Sequence, residues 1–215
     1  MDINVYMAML ACVVVGYAFG SIPTGVLVGK LFQKDIRSEG SGNIGTTNAL
    51  RTMGVKGALL TFVGDVLKCV IPVVLMRSFL DEQTDYSYLF GLCGGFGAVL
   101  GHNFSCWLKF KGGKGIAVTS AAVLATSDWR IIVAGLLIFI VVVAVTRYVS
   151  LGSLFVAWYL PANTLLFHRQ DQIFVWMLAI SLCYTLLAYI RHKDNIVRLL
   201  HGNERKIGEK KEEQK

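Results

Sequence analysis

The sequence predicts an all-α integral membrane protein with about seven transmembrane helices. Of its 215 residues, 54% are hydrophobic and only 16% are charged, against about 25% charged residues in an ordinary soluble domain. The apolar residues gather into runs long enough to cross a hydrocarbon core, which takes roughly 20 helical residues. We expect one membrane domain, residues 1–203, followed by a highly charged and disordered tail, residues 204–215.

Seven apolar segments are candidate membrane helices: 5–31, 55–80, 86–108, 115–129, 131–146, 151–167 and 172–190. The fourth segment differs from the others, because its apolar part is short and carries Thr119, Ser120, Thr126 and Ser127. It fits a tilted, re-entrant or protein-buried helix as well as a helix that faces lipid. The orientation of the chain depends on whether this segment crosses.

Orientation follows from Lys and Arg, which accumulate in short cytoplasmic loops. Most of them follow the first, third and fifth segments or lie in the tail, whereas the opposite loops offer only Arg77, Arg130 and Arg169. The N-terminus is therefore predicted outside and the C-terminus cytoplasmic. The net charge of +7 indicates a membrane-lipid surface and not nucleic acid, since the basic residues flank apolar runs.

Residues 37–51 form a loop in which glycines alternate with hydroxyl and amide side chains. Glycine allows backbone N–H groups to converge on an anion, and an arginine guanidinium can donate two hydrogen bonds to a phosphate. This pattern predicts phosphate binding, although a flexible loop rich in turn formers is the simpler alternative. The predicted ligands are Gly40, Ser41, Gly42, Asn43, Thr47, Asn48 and Arg51.

A second glycine-rich loop, residues 109–115, precedes the fourth segment and could present free N–H groups at a helix N-terminus. Its predicted phosphate ligands are Lys111, Gly112, Gly113 and Lys114. It is no Walker motif, because Gly115 stands where that motif needs Ser or Thr. A basic anchor at the cytoplasmic surface would explain the lysines but not the glycines.

Charged residues, glycines and one histidine inside the apolar segments also have predicted contacts. Asp65 and Lys68 are three residues apart, on one helical face, and we expect them to pair, either structurally or beside a substrate. The glycines between residues 91 and 101 predict close helix packing. His102, at the end of that run, either lines a cavity or packs against a neighbour.

Polar residues near the C-terminus complete the candidate site. His192 and Asn195 lie on one face if the last helix continues, and they serve either in catalysis or as interfacial residues. Ser150 either contacts a substrate or caps the sixth helix. The cysteines lie singly in apolar runs, so no metal site and no cofactor are predicted.

Several ordered motifs together resemble the bacterial PlsY family, the acyl-phosphate:glycerol-3-phosphate acyltransferases. The resemblance runs from the first segment to about Glu204, and one departure is Ser105, where the family usually has proline. The motifs are Gly20-Ser21-Ile22-Pro23, Gly40-Ser41-Gly42-Asn43-Ile44-Gly45 with Asn48 and Arg51, Gly64-Asp65 with Lys68, Gly101-His102-Asn103-Phe104, Lys109-Phe110-Lys111-Gly112-Gly113-Lys114-Gly115, and Asn195 with Arg198 and Gly202.

The resemblance implies a seven-helix enzyme of the bacterial cytoplasmic (inner) membrane whose active site faces the cytoplasm. It would transfer a fatty acyl group from acyl phosphate to the sn-1 hydroxyl of glycerol 3-phosphate, giving lysophosphatidate and phosphate in the first acylation of phospholipid synthesis. Ser41, His192 and Asn195 are then the expected catalytic residues. An enzyme that forms acyl phosphate becomes an expected functional partner.

Two other functions fit the same residues. A transporter of phosphate-bearing anions would also use a basic, glycine-lined mouth and charged residues within the membrane. A scaffold that binds anionic lipid would need the positive charge but not arginine in particular.

Overall fold

The computed structural model describes residues 3–80 and 86–208, and every regular element in these ranges is helical. Part of the outer loop predicted around residues 81–85 and residues 209–215 of the predicted tail lie outside the described residues. The helices are α1 Ile3–Gly20, α2 Thr24–Leu31, α3 Thr46–Phe79, α4 Ser87–Asn103, α5 Ile116–Thr126, α6 Trp129–Thr146, α7 Val149–Val156, α8 Tyr159–Phe167, α9 Phe174–Arg191 and α10 Lys193–Leu200, with a 3₁₀ turn at Cys106–Leu108.

Five helical stretches in the described ranges are long and apolar enough to cross a membrane. They are Ile3–Leu31, Thr46–Phe79, Trp129–Thr146, Val149–Phe167 and Phe174–Arg191. These stretches coincide with the first, second, fifth, sixth and seventh predicted segments. The third predicted segment is the helix α4, whose residues are almost all buried between its neighbours.

The fourth predicted segment is the 11-residue helix α5, which covers only about 16 Å of a hydrocarbon core roughly 30 Å thick. It packs against both α3 and α4. Val118, Ala121 and Ala122 on this helix are fully enclosed. Of the alternatives for this segment, the structure therefore selects a short helix surrounded by protein.

Glycine allows α1 and α4 to meet backbone against backbone, as the sequence predicted for residues 91–101. A Cβ atom on Gly97 would lie 2.1 Å from the carbonyl oxygen of Val13, and one on Gly16 would lie 2.0 Å from that of Gly94. No side chain fits such a gap, so these glycines set the distance between the two helices.

The first glycine-rich loop is shorter than the sequence indicated. Residues 37–51 were expected to form one loop, but α3 begins at Thr46, so Thr47, Asn48 and Arg51 lie on a helix. The apolar side chains of this first part of α3 pack against Val28 and Ile36. That packing outweighs the turn-forming composition, because most helical stability comes from burial of an apolar face.

Helix α3 contains a break at Gly54 that was not predicted as a break within a helix. Gly54 has the left-handed φ of +71° and separates the first turns of α3 from its long apolar part. The predicted segment 55–80 begins at this break. A left-handed residue is readily accommodated only as glycine, so Gly54 allows the two parts of α3 to differ in direction.

We expect Gly97→Ala to lower stability by about 1–3 kcal/mol, because the added methyl group overpacks a backbone contact. Gly94→Ala is the matched control, since a Cβ there would meet Val73 Cγ2 at 3.6 Å, an ordinary contact distance. The midpoint of thermal unfolding in detergent measures both variants. Equal midpoints for the two variants would contradict the close-packing argument.

Candidate active site

A cavity of about 1020 Å³ lies where the two glycine-rich loops meet the junction of α9 and α10. It brings together all of the predicted site residues except Lys111 and Gly113. Those that line it are Gly40, Ser41, Gly42, Asn43, Thr47, Asn48, Arg51, Gly112, Lys114, Ser150, His192 and Asn195. Six Lys or Arg side chains but only three Asp or Glu side chains line the cavity, so it favours anions.

The first loop is held from inside by Asn48, which is 2% exposed. Its Oδ1 accepts a hydrogen bond from the Ser41 N–H group at 2.8 Å, and its Nδ2 donates to the carbonyl oxygens of Ile36 and Glu39 at 3.0 and 3.1 Å. A Cβ on Gly40 would lie 2.2 Å from Asn48 Oδ1. Asn48 therefore shapes the loop, and its amide is fully used within the protein.

A local turn connects this loop to α3. Asn43 Oδ1 accepts from the Gly45 N–H group at 2.9 Å, which is the side-chain turn that asparagine commonly forms. Gly42 has a φ of +70°. The turn leaves the Ser41 hydroxyl and the Arg51 guanidinium at the cavity wall, and both residues are exposed.

The second loop differs from its prediction. The Gly112 N–H group donates to the Asn103 carbonyl at 3.1 Å, and the Gly113 N–H group donates to the His102 carbonyl at 3.0 Å. These amides satisfy the last carbonyls of α4, so Gly112 and Gly113 themselves do not present free N–H groups to a phosphate. The first-turn N–H groups of α5 have no acceptor within their helix, and Ile116 and Ala117 line the cavity.

The prediction that Lys111 is a phosphate ligand also disagrees with the structure. Lys111 is exposed and does not line the cavity. Lys109 and Phe110 both adopt left-handed φ angles, of +52° and +60°, and the turn that they make directs the chain away from the cavity before Gly112. Lys114 is then the lysine of this loop that lines the site.

Arg191 holds the second loop in place and was missed by the sequence analysis. Its guanidinium donates to the carbonyl oxygens of Gly112 and Gly113 at 2.8–3.0 Å and lies 5.5 Å from the centre of the Phe104 ring. The planar fork of arginine suits two adjacent carbonyls. In the sequence, Arg191 lies at the end of an apolar segment, and it entered only the prediction of orientation.

A chain of polar contacts crosses the mouth of the cavity. Lys114 donates to Asn195 Oδ1, the Asn195 amide donates to Glu204 Oε1 at 2.6 Å, and Arg198 Nε donates to Glu204 Oε2 at 2.7 Å. These contacts fix the direction of the Asn195 amide. They also keep the ammonium and guanidinium groups close to one another.

Glu204 was predicted as the first residue of a disordered tail, yet it is only 9% exposed. Gly202, with a φ of +71°, turns the chain back after α10. Farther on, the Ile207 N–H group donates to the Arg147 carbonyl at 2.9 Å, and the Arg147 guanidinium donates to the Ile207 carbonyl at 2.9 Å. Glu204 and Arg205 thus line the cavity, and Ile207 is bound to Arg147.

Burial lowers the pKa of two residues at the site. It lowers the pKa of Lys114 to about 8, and the nearby Glu204 carboxylate partly opposes this shift. It also lowers the pKa of His192 to about 4, so that imidazole is neutral at pH 7. His192 Nδ1 lies 2.8 Å from the Ala188 carbonyl oxygen, which places the proton on Nδ1 and leaves Nε2 as an acceptor.

Two further predictions have clear outcomes. Asp65 and Lys68 form the predicted ion pair, with 2.8 Å between Oδ1 and Nζ, and Asp65 lines the cavity. Ser150 does not cap a helix, because it lies in the first turn of α7 and the N-cap residue is Tyr148, whose side chain makes no capping hydrogen bond. Ser150 lines the cavity together with Glu204. Against the effect of burial, hydrogen bonds from Asn195 and Arg198 lower the pKa of the Glu204 carboxyl.

Below the polar mouth, the cavity continues as an apolar groove between α3, α5, α6 and the α7–α8 segment. Its walls are formed by Phe62, Val66, Leu124, Ile132, Leu136, Phe139, Val156 and Tyr159. On α3 and on α6 these residues recur every three or four positions, which places them on one face of each helix. In the described ranges, no group of three His, Cys, Asp or Glu residues could hold a metal ion.

Known proteins resemble this chain along almost its whole length. Residues 10–202 match the family described as glycerol-3-phosphate acyltransferase. Relatives of that name from Thermosipho melanesiensis and Trichlorobacter lovleyi are 42% and 40% identical. The alignments cover 93% of both chains for the first and 89% of this chain and 93% of the relative for the second.

Two solved structures have the same fold. One is PlsY, an integral membrane glycerol 3-phosphate acyltransferase, in its glycerol 3-phosphate form, with 33% identity, a TM-score of 0.79, and coverage of 93% of this chain and 96% of that one. The other is its lysophosphatidic acid form, with 32% identity, a TM-score of 0.77, and coverage of 93% and 95%. The chain therefore belongs to the PlsY family of integral membrane glycerol-3-phosphate acyltransferases.

Proposed function

We propose that this enzyme transfers a fatty acyl group from acyl phosphate to the sn-1 hydroxyl of glycerol 3-phosphate. The observation that carries the proposal is one cavity with a basic, polar mouth and an apolar groove beneath it. Such a cavity suits two phosphate-bearing substrates, one of which carries a long chain. Family membership favours the acyltransferase over the transporter and scaffold alternatives.

The same proposal includes the orientation of the chain in a bacterial cytoplasmic membrane. Seven helical segments cross, the N-terminus lies outside, and the active site faces the cytoplasm. Support comes from α5, which runs along α4 in the opposite direction, since Gly115 lies beside Asn103 and Thr126 lies beside Gly91. Although short, α5 thus connects the level of the cavity mouth to the other end of α4.

The reaction needs positioning more than strong acid–base catalysis. Acyl phosphate is a mixed anhydride whose phosphate is a good leaving group. The hydroxyl oxygen of glycerol 3-phosphate forms the new ester bond to the acyl carbon as the bond from that carbon to the phosphate oxygen breaks. A substrate phosphate oxygen takes the hydroxyl proton, so the protein mainly aligns the reactants and stabilises negative charge.

Residues of the mouth supply this alignment in our proposal. Arg51, His192 and Asn195 hold glycerol 3-phosphate, and the unprotonated Nε2 of His192 accepts a hydrogen bond from the second hydroxyl of that substrate, which does not react. Lys114 and the first glycine loop hold the acyl phosphate, while the Ser41 hydroxyl contacts a reacting or phosphate oxygen. An enzyme that makes acyl phosphate must supply the donor, which makes it the expected functional partner.

Purified protein in detergent is expected to consume palmitoyl phosphate only when glycerol 3-phosphate is present, releasing one phosphate per lysophosphatidate. Palmitoyl-CoA and palmitoyl acyl carrier protein should give no product, because neither donor carries an acyl phosphate bond. Mass spectrometry of the product and a phosphate assay measure the reaction. Transfer from either thioester at a comparable rate would contradict the proposed donor.

Arg51→Ala is expected to reduce kcat/KM for glycerol 3-phosphate by about 10²–10³-fold, because it removes a two-point contact worth roughly 3–4 kcal/mol. Arg51 is exposed on the cytoplasmic turn of α3, so the protein should remain folded. Arg51→Lys keeps the charge without the fork and should show a smaller loss. Near-normal turnover by the alanine variant would remove Arg51 from the site.

The pKa of Lys114 predicts an alkaline limit to activity. The Lys114 ammonium loses its proton near pH 8. Because kcat/KM depends on the protonation state of the free enzyme, it should fall about tenfold for each pH unit above that value. Lys114→Arg should lack this decline, since a guanidinium stays charged throughout the range. Initial rates between pH 6.5 and 9.5 measure the effect, and an identical decline in both proteins would exclude Lys114 as its cause.

A further inference from the structure

Lys68 lies beneath the cavity with all three of its ammonium hydrogens matched to acceptors. Nζ is 2.8 Å from Asp65 Oδ1, 3.0 Å from the Ile22 carbonyl oxygen and 2.9 Å from His102 Nδ1. The Lys68 and His102 side chains are both 3% exposed and the Asp65 side chain is 1% exposed. An ammonium group donates three hydrogen bonds and accepts none.

This geometry determines where the proton of His102 resides. Because Lys68 can only donate, Nδ1 must be the acceptor in the 2.9 Å contact. The separation of Nδ1 from Asp65 Oδ1 is longer, at 3.4 Å, and Oδ1 already receives the Lys68 ammonium. The imidazole is therefore neutral, with its single hydrogen on Nε2.

The position of Nε2 is set by the second glycine loop. A Cβ atom on Gly113 would lie 2.1 Å from Nε2, so glycine at this position leaves room for the ring beside the loop. His102 lines the cavity together with Gly112 and Lys114. Within the described residues, Nε2 makes no hydrogen bond to the protein, which leaves its N–H group available to a ligand.

We propose that His102 is a substrate-binding residue whose neutral Nε2–H group donates a hydrogen bond to a substrate phosphate held beside Gly112 and Lys114. Lys68 and Asp65 act through His102 as positioning residues, because they fix the tautomer that presents this hydrogen. This inference rests on the proposed function, in which both substrates carry phosphate. Glycerol 3-phosphate and acyl phosphate both carry phosphate oxygens that can accept this hydrogen bond.

Nitrogen-15 NMR of protein labelled at histidine tests the tautomer directly. The His102 signals, identified by their loss in His102→Asn, should show a hydrogen on Nε2 and none on Nδ1. Addition of glycerol 3-phosphate or inorganic phosphate should shift the Nε2 signal. A hydrogen on Nδ1, a doubly protonated ring, or no shift with any phosphate compound would overturn the proposal.

Two variants separate the Nε2 donor from the structural role of the ring. Gln places an N–H donor near the position of Nε2, whereas Asn keeps an acceptor near Nδ1 for Lys68 but has no donor at Nε2. His102→Asn should raise the KM for one phosphate substrate about tenfold, the effect of one hydrogen bond to a charged acceptor. His102→Gln should stay within about twofold of the wild type by the same reasoning.

Separate KM measurements for glycerol 3-phosphate and acyl phosphate identify which phosphate His102 contacts. His168→Asn is the matched control, since His168 stacks on Tyr88 and pairs with Asp171 away from the cavity. Equal KM values for His102→Asn and the wild type would overturn the proposal. Failure of the acyl phosphate donor assay would not change the NMR result, so the two proposals can fail independently.

Discussion

The buried contact of Lys68 with Asp65 is the interaction on which the site depends. A charged side chain at membrane depth is tolerated only when it is paired or faces a polar cavity. Here the ammonium also binds the carbonyl of Ile22, at the break between α1 and α2, and the His102 ring at the end of α4. One cation therefore connects three elements, and removing either member of the pair would leave the other charge buried and uncompensated.

Contacts with the rest of the protein fix the conformation of the two glycine-rich loops. Asn48 binds the first loop from the inside, and the carbonyls at the end of α4 together with Arg191 bind the second. Preorganisation of this kind reduces the entropy lost when a substrate is bound. Glycine is required at positions Gly40, Gly112 and Gly113, because a Cβ atom there would lie 2.0–2.2 Å from another atom of the protein.

The two histidines at the cavity present opposite hydrogen-bonding groups. Ala188 fixes the proton of His192 on Nδ1, so that residue offers an acceptor, whereas Lys68 fixes the proton of His102 on Nε2, so that residue offers a donor. Both rings are neutral, and neither adds charge to a mouth that already contains an excess of basic residues. A hydroxyl can donate to Nε2 of His192, which a fully ionised phosphate cannot do, whereas Nε2–H of His102 can donate to either group.

Much of the fold follows from the sequence because membrane helices must be long and apolar. The segment positions, the Asp65–Lys68 pair and the glycine packing of α4 all reflect such local rules. The helical start at Thr46 and the burial of Glu204 could not be predicted, since each depends on contacts with residues distant in the chain. Lys111 was misassigned because the left-handed turn at Lys109 and Phe110 leaves no signal in composition.

The short helix α5 lines both parts of the cavity. Its length is about half of the hydrocarbon thickness, so the polar and apolar parts of the cavity lie close to each other along its axis. In the proposed reaction, glycerol 3-phosphate would enter through the polar mouth and the acyl chain of the donor would lie in the apolar groove. The two reactants would then meet where these two surfaces join.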